Sequence, residues 1–460
     1  MNVHPCSKSL CHLISLQTQA WAAAMGFAIA GALGLSARLT PRAGSRLSAS
    51  SSLLLLYLST SSLLAHAASP RAPSYQSQRT PFSPPTCPVN NSTCPVGSGI
   101  RSFHSSPQNW SGNAQFSYHV AASYSAKGHN FNAERNIFTR DVFNPIKSSI
   151  TDVKKCKNIK NKRKRPKSGQ DAFFFSQVGT TQTTAFGVAD GVGGWVESGV
   201  DPADFSHGLC EYMACAARIW PQGAKTNSLH PKDLLQVGYD EVIADKSIVG
   251  GGSTACLAVA EPDGNVEVAN LGDSGFMHLG LNAVRHFTHP QTHAFNTPYQ
   301  LSKTPERMLV QMKVFGGTSA LSDLPKESNV THHRVRHGDV LIFATDGVWD
   351  NLSPQDALSI VSRSMVDLGA WVENKGALEV GPELQTLTQA VREGKADTAS
   401  LQARLAIAIA KEAKETSLNT RRDGPFAKEV QKYYPGENWH GGKPDDIAAV
   451  VAVVVENTAS

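Results

Sequence analysis

The first 133 residues contain no aspartate or glutamate; Glu134 is the first acid. Lys and Arg are scattered through this stretch and Ser is abundant. An acid-free, Ser-rich, Arg-bearing segment has the composition of an organellar transit peptide, because import along a potential draws positive segments inward. The apolar runs Trp21–Leu35 and Leu53–Ala68 each fall short of the roughly 20 residues that span a bilayer. Mitochondrial import, to the matrix, is therefore the first expectation. Membrane association through 21–35 or 53–68 is the alternative. The eight cysteines form no Cys-x2-Cys pair and no zinc spacing. Buried or inert thiols follow, with a Cys87–Cys94 bridge only in an oxidising compartment. No dinucleotide-binding glycine fingerprint, nucleophile elbow, Cys-x5-Arg signature or Walker lysine loop occurs. Those absences remove the common covalent-nucleophile and nucleotide-loop routes.

The net charge of +5 conceals a segregation. Before Ser168 stand 20 Lys/Arg and 3 Asp/Glu; the remainder carries 23 and 35, a net of −12. An acidic globular part argues against nucleic acid as a partner and suits a site for cations. Three regions are expected: a targeting segment 1–68, a disordered Pro/Ser-rich linker 69–115, and a globular domain 116–457. The basic run Lys154–Lys167 reads as a solvated loop before the core of that domain.

What is there in strength is a recurring carboxylate at a strand edge. In Ala185–Trp195, AFGVADGVGGW, an apolar run ends at Asp190 and opens into Gly191, Gly193 and Gly194. NLGDS places Asp273 after an alternating run, and VLIFATDGVWD places Asp346 after a stronger one, with Asp350 four residues on. KPDDIAAVVAVVV places Asp445 and Asp446 at the start of a long β-like run. One Asp-Gly after a strand is weak evidence; four strand-edge carboxylate sites, two of them Asp-Gly, predict a shared acidic, metal-binding centre. Oxygen-only ligands select Mg²⁺ or Mn²⁺ over zinc. Two such ions about 3.5–4 Å apart form the arrangement used for phosphoester hydrolysis.

Asp171 starts a strand whose hairpin partner is Thr183–Asp190, which brings Asp171 near Asp190. Further strands are expected at Tyr118–Ala126, Gly250–Ala260, Asn265–Leu271 and Asn282–Thr288, in the β-like stretch Thr331–Ala344 with its turn His337-Gly338-Asp339, and a last one from Asp446 to Val455. Helices are expected over Asp201–Trp220, Pro231–Asp245, Ser353–Met365 and Asp423–Pro435, with Pro382–Lys414 broken near Gly394. His289–Asp323 has little periodicity and reads as a flap; His289, His293 and Gln300 there lack the spacing of a helical zinc motif. With no βαβ repeat, the expected class is α+β: two mainly antiparallel sheets with helix pairs outside.

In this order, GQDAFFF, AFGVADGVGGW, GGSTACLAVA, NLGDSG, LIFATDGVWDN and KPDDIAAVVAVV resemble the metal-dependent type 2C Ser/Thr protein phosphatases. DPADFS, FNTPYQLS and GGKPDDI look like the mitochondrial branch of that family. The resemblance spans Ser168–Val455 and implies an α-β-β-α sandwich, phosphoprotein substrates and a monomer. It implies hydrolysis by attack of a metal-bridging water, without a phosphoenzyme. Carried over by residue, Asp190 would bridge two metals and the Gly191 carbonyl would hold one. Asp346 and Asp445 would hold the other, Asp171 would act through water, and Asp273 and Asp350 would hold a weaker third ion. Asp446 would stand behind the ligands, and Thr345 has no evident direct role. Two positions depart from the family pattern. Gln170 replaces a Glu, which keeps open a phosphoprotein-binding relative without turnover. The phosphate-binding Arg falls at Pro166 by count; Arg165 and Lys167 flank it, and Arg165 is the candidate. The general acid stays open among His104, His207 and His440. The length between Met365 and Pro425 suggests a helical insertion over about 366–425.

Overall fold

The run Ile447–Val455 is apolar at every position, which suits a strand covered on both faces. In the computed structural model, which describes residues 115–139, 165–221, 228–315, 321–389 and 400–457, this run lies in the middle of a sheet. Alternate residues leave it in opposite directions. Ala448, Val450, Ala452 and Val454 enter the core between two sheets, while Ala449, Val451, Val453 and Val455 meet the helices behind. The expected targeting segment, nearly all of the linker, most of the basic run, and the break near Gly394 lie outside the described residues.

Six strands make the first sheet, in the order β2 (Ile137–Phe138), β1 (Gln115–Ser125), β17 (Ile447–Asn457), β14 (Val340–Ala344), β8 (Gly275–Gly280) and β9 (Ala283–Phe287). Five make the second: β13 (Asn329–Arg334), β7 (Asn265–Leu271), β6 (Ala255–Ala260), β4 (Thr184–Asp190) and β3 (Asp171–Gln177). The pairings within both sheets are antiparallel. Three short pairs accompany them: β5 (Gly251–Ser253) with β12 (Leu301–Lys303), β10 (Thr292–Ala294) with β11 (Thr297–Pro298), and β15 (Trp371–Asn374) with β16 (Ala377–Val380).

The same alternation builds the other layers. Phe173 and Phe175 fill the space between the sheets with Phe186, Phe276 and Phe343, whereas Phe174 points outward to helices Pro202–Arg218 and Pro231–Ala244. Helices Pro354–Asp367 and Leu401–Ser417 cover the outer face of the six-stranded sheet. The layers are therefore α-β-β-α, as the sequence predicts. Helix starts follow their caps. Asp201 accepts a hydrogen bond from Ala203 N–H with Pro202 at the first helical position, and Ser353 and Asp356 form a reciprocal capping box.

Two segments differ from expectation. The stretch 366–425, read as a helical insertion, also holds the β15–β16 hairpin, and its long helix 401–417 is part of the layer on the sheet. The hairpin follows from Lys375 and Gly376, both at positive φ (52° and 80°), which close a tight turn. The flap contains a helix, Glu306–Phe315, hidden from periodicity because Leu309, Val310 and Val314 are exposed.

Candidate metal centre

Asp171 and Asp190 are direct partners in the β3–β4 register, so the hairpin sets two carboxylates side by side at one end of its sheet. Asp273 lies between β7 of one sheet and β8 of the other, where the chain crosses the sandwich. Asp346 opens a helical turn, Asp346–Trp349, directly after β14. Asp350 follows at i+4, on the same face. Asp445 precedes β17, and β17 pairs with β14 through Ala449 and Ala344. Six carboxylates, from strand edges and the turn after β14, thus come within reach of one another's charge. Gly347 permits this closeness: a Cβ there would stand 1.8 Å from the Asp446 carbonyl oxygen.

Crowding shows in the electrostatics. Burial, then the charges of Asp346 and Asp171, push Asp190 well above the usual carboxylate range. Burial and Asp446 push Asp171 up, against the hydrogen bond from Thr345. Burial and the charge of Asp346 raise Asp273 to about 8. Burial raises Asp350 to about 7 against the pull of Lys443, and burial with Asp346 also raises Asp445. Asp346 is the exception. Burial works to raise it, but the charge and hydrogen bond of Lys443 hold it below the ordinary value.

Lys443 reaches the centre from the start of KPDD. Its Nζ lies 2.7 Å from Asp346 Oδ2, 2.6 Å from Asp350 Oδ2 and 3.3 Å from Asp445 Oδ2. Among the described residues no three His, Cys, Asp or Glu side chains stand as a ready metal cage; three of these carboxylates are gathered on the ammonium instead. The donor set still fits a hard cation. It is all oxygen, it carries more negative charge than Lys443 balances, and Asp273 Oδ1 is buried without a hydrogen-bond partner.

The remaining candidates are placed as follows. Gly191 N–H donates to the Gln170 carbonyl at 3.1 Å and Gly191 bridges Ser253. Arg165 pairs with Asp204 on the first helix at 2.8 Å, not with a carboxylate of the centre. Asp446 accepts from Gln170 N–H (2.8 Å) and Lys127 N–H (2.5 Å), tying two loops together behind the centre. Gly169 makes room for it, with φ at 74° and a hypothetical Cβ only 2.1 Å from Asp446 Oδ1. His207 sits at Gly169 O, 3.3 Å, and burial and Arg165 lower it to about 4. His440 pairs with Asp423 at 2.9 Å. His104 lies outside the described residues. In the flap, His293 pairs with Asp323 at 3.0 Å and stacks on Tyr299. Gln300 accepts from Trp195 Nε1–H.

The roles of two residues do not follow from the sequence. Thr345 Oγ1 donates to Asp171 Oδ2 at 2.7 Å and accepts from Ala448 N–H at 3.0 Å, so it joins the two sheets beneath the centre. Its signal was a polar residue fixed between a buried strand and Asp346. Lys443 was visible beside Asp445 but carried no sign of its reach.

A helix-covered double sheet with an oxygen-only acidic centre at its end has the layout of the type 2C protein phosphatases. Comparison with known proteins agrees. The chain is 34% identical over 296 residues to "Protein phosphatase PTC7 homolog fig" of Drosophila simulans, covering 64% of this chain and 79% of that one. It is 32% identical over 294 residues to "Protein phosphatase PTC7 homolog" of Homo sapiens, 63% and 81%. It is 31% identical over 291 residues to "Protein phosphatase 2C homolog 7, mitochondrial" of Saccharomyces cerevisiae, 63% and 75%. Among solved structures, that of the photosystem II phosphatase PBCP aligns with 24% identity over 64% of this chain and 93% of that one, with a TM-score of 0.44. No family model matches. The chain belongs to the type 2C protein phosphatase family.

Proposed function

We propose that this protein hydrolyses phosphoserine and phosphothreonine in protein substrates, as a metal-dependent phosphatase of the mitochondrial matrix. The observation that carries the reading is the convergence of six carboxylates, five of them pushed upward by burial and mutual repulsion. Such a centre calls for cations to balance it. Asp190 and the Gly191 carbonyl would hold one Mg²⁺ or Mn²⁺, and Asp190, Asp346 and Asp445 the second. Asp273 and Asp350 would hold a weaker third. Bound there, the ions supply an acidified water and positive charge against the phosphoryl oxygens.

The chain's own residues do the rest. The β3–β4 register holds Asp171 against Asp190, and Thr345 fixes Asp171 from below. Asp446 braces the loop that carries Gln170. Arg165, drawn off Asp204, offers a planar fork to two phosphate oxygens. The acid-free first 133 residues support import, and the yeast relative is named mitochondrial. We assign 1–68 to targeting, 69–115 to a linker and 116–457 to catalysis by a monomer. Among the described residues no helix is long and apolar enough to cross a membrane. The reading without turnover has only Gln170 behind it, while the retained Asp190, Asp346 and Asp445 argue against it.

The test is turnover of a phosphothreonine peptide by the full chain with Mn²⁺, with Mg²⁺ and with EDTA, alongside Asp190→Asn and Asp346→Asn. Metal-dependent hydrolysis lost in both variants is expected. A folded protein with no turnover under either ion overturns the assignment.

A further inference from the structure

Lys443 stands inside the acidic centre rather than at its rim. An ammonium has three protons to donate. Its partners at 2.7, 2.6 and 3.3 Å are three different carboxylates, those of Asp346, Asp350 and Asp445. The side chain is only 15% exposed, and its Nζ is 4.8 Å from the centroid of the Phe426 ring. Carboxylates on one side and an aromatic face on the other make a cage for an ammonium. The backbone is held from both directions. Asn351 Nδ2 donates to the Lys443 carbonyl at 2.9 Å, and Lys443 N–H donates to Asn351 Oδ1 at 2.9 Å. Pro444 follows and keeps Lys443 extended. By contrast, Lys127 reaches only Asp445, at 3.5 Å, from a side chain that is 60% exposed. Asp273, with Oδ1 buried and unpartnered, lies close enough to feel both Asp346 and Lys443.

A divalent ion must be surrounded by oxygens at short range. The Oδ2 atoms of Asp346, Asp350 and Asp445 are turned on Nζ, and a divalent ion drawing on the same three oxygens would be repelled by the ammonium beside it. We propose that Lys443 is a tethered cation. It occupies the Asp346–Asp350–Asp445 face in the metal-free protein, keeps the carboxylates from repelling each other apart, and competes with the divalent ion for that face. Metal entry on the Asp350 side then requires the ammonium to withdraw. This rests on the cation-binding reading above, and the experiment separates the two.

The full-length protein and Lys443→Met, which keeps the stem against Phe426, are stripped with EDTA and titrated calorimetrically with Mn²⁺. The variant should bind one Mn²⁺ more tightly by about tenfold or more. Metal-free, it should melt below metal-free wild type, with the gap closing at saturating Mn²⁺. Unchanged or weaker binding overturns the proposal. No Mn²⁺ binding by the wild type overturns the cation-binding reading instead. Loss of any nearby positive charge tightens cation binding, so displacement is read separately, on the wild type, by lysine acylation and mass spectrometry. Lys443 should react faster in Mn²⁺ than in EDTA. Equal or slower reaction overturns the proposal, and this arm stands even if Lys443→Met does not fold.

Discussion

Thr345→Val tests whether the centre is braced from beneath. Thr345 is fully buried, and Asp171, its partner, is 1% exposed. Valine keeps the shape of threonine and removes the hydroxyl alone. Two groups then lose their partner, Asp171 Oδ2 at 2.7 Å and Ala448 N–H at 3.0 Å. Each buried polar group left unpaired costs about 1–3 kcal/mol, so the loss should come to about 3 kcal/mol. For a domain of this size that corresponds to a fall in melting temperature of roughly 4–5 °C. The assay is thermal unfolding followed by circular dichroism, in EDTA so that ligand binding does not mask the change. Thr345→Ser retains the hydroxyl and should lose no more than about 1.5 kcal/mol, the scale of one deleted methyl. If Thr345→Val melts with the wild type, or Thr345→Ser is equally damaging, the hydroxyl is not the brace described.

Three further outcomes are expected. In EDTA, burial and neighbouring charge place Asp273 at about 8 and Asp350 at about 7, both above the ordinary 3.8 that the unfolded chain would show. Between those values the folded state holds protons that the unfolded state has released, so stability falls as pH rises from about 5 to about 8, and saturating Mg²⁺ should flatten or reverse the trend; a melting temperature that climbs over this window in EDTA would contradict the crowding. Gly347→Ala sets a Cβ 1.8 Å from the backbone oxygen of Asp446, a contact that no rotamer relieves, so it should destabilise by more than about 3 kcal/mol or yield no folded protein in a urea titration. Arg422→Ala should change stability by less than about 1 kcal/mol, because Arg422, Asp356 and Glu412 are each more than a third exposed and water screens both ion pairs; a larger shift in the urea midpoint would count against that screening.

The carboxylates were legible because the feature that marks each of them is local. A run such as Phe186–Ala189 declares a buried strand, and the residue at its end, Asp190, must then lie on the sheet's rim. The Asp171–Asp190 pair needed only a short hairpin, and the apolar stretch after Asp446 announced a strand covered on both faces. The helix Glu306–Phe315 was illegible for the opposite reason: Leu309, Val310 and Val314 are left exposed, so they imprint no period of a buried face.

The groups that hold the carboxylates were illegible because their partners are remote. Lys443 reaches Asp346 across 97 residues, and Thr345 reaches Asp171 across 174. Nothing within a short window distinguishes a lysine on a loop from one threaded among acids. The division has a physical basis. The negative groups are placed by strand ends, which alternation reveals. The groups that make their closeness tolerable are placed by tertiary packing, which a sequence pattern does not carry. A centre read from sequence therefore looks more negative than it is. The missing counter-charge is to be sought on the segment that leads into the strand beside the acids, where Lys443 stands two residues before Asp445.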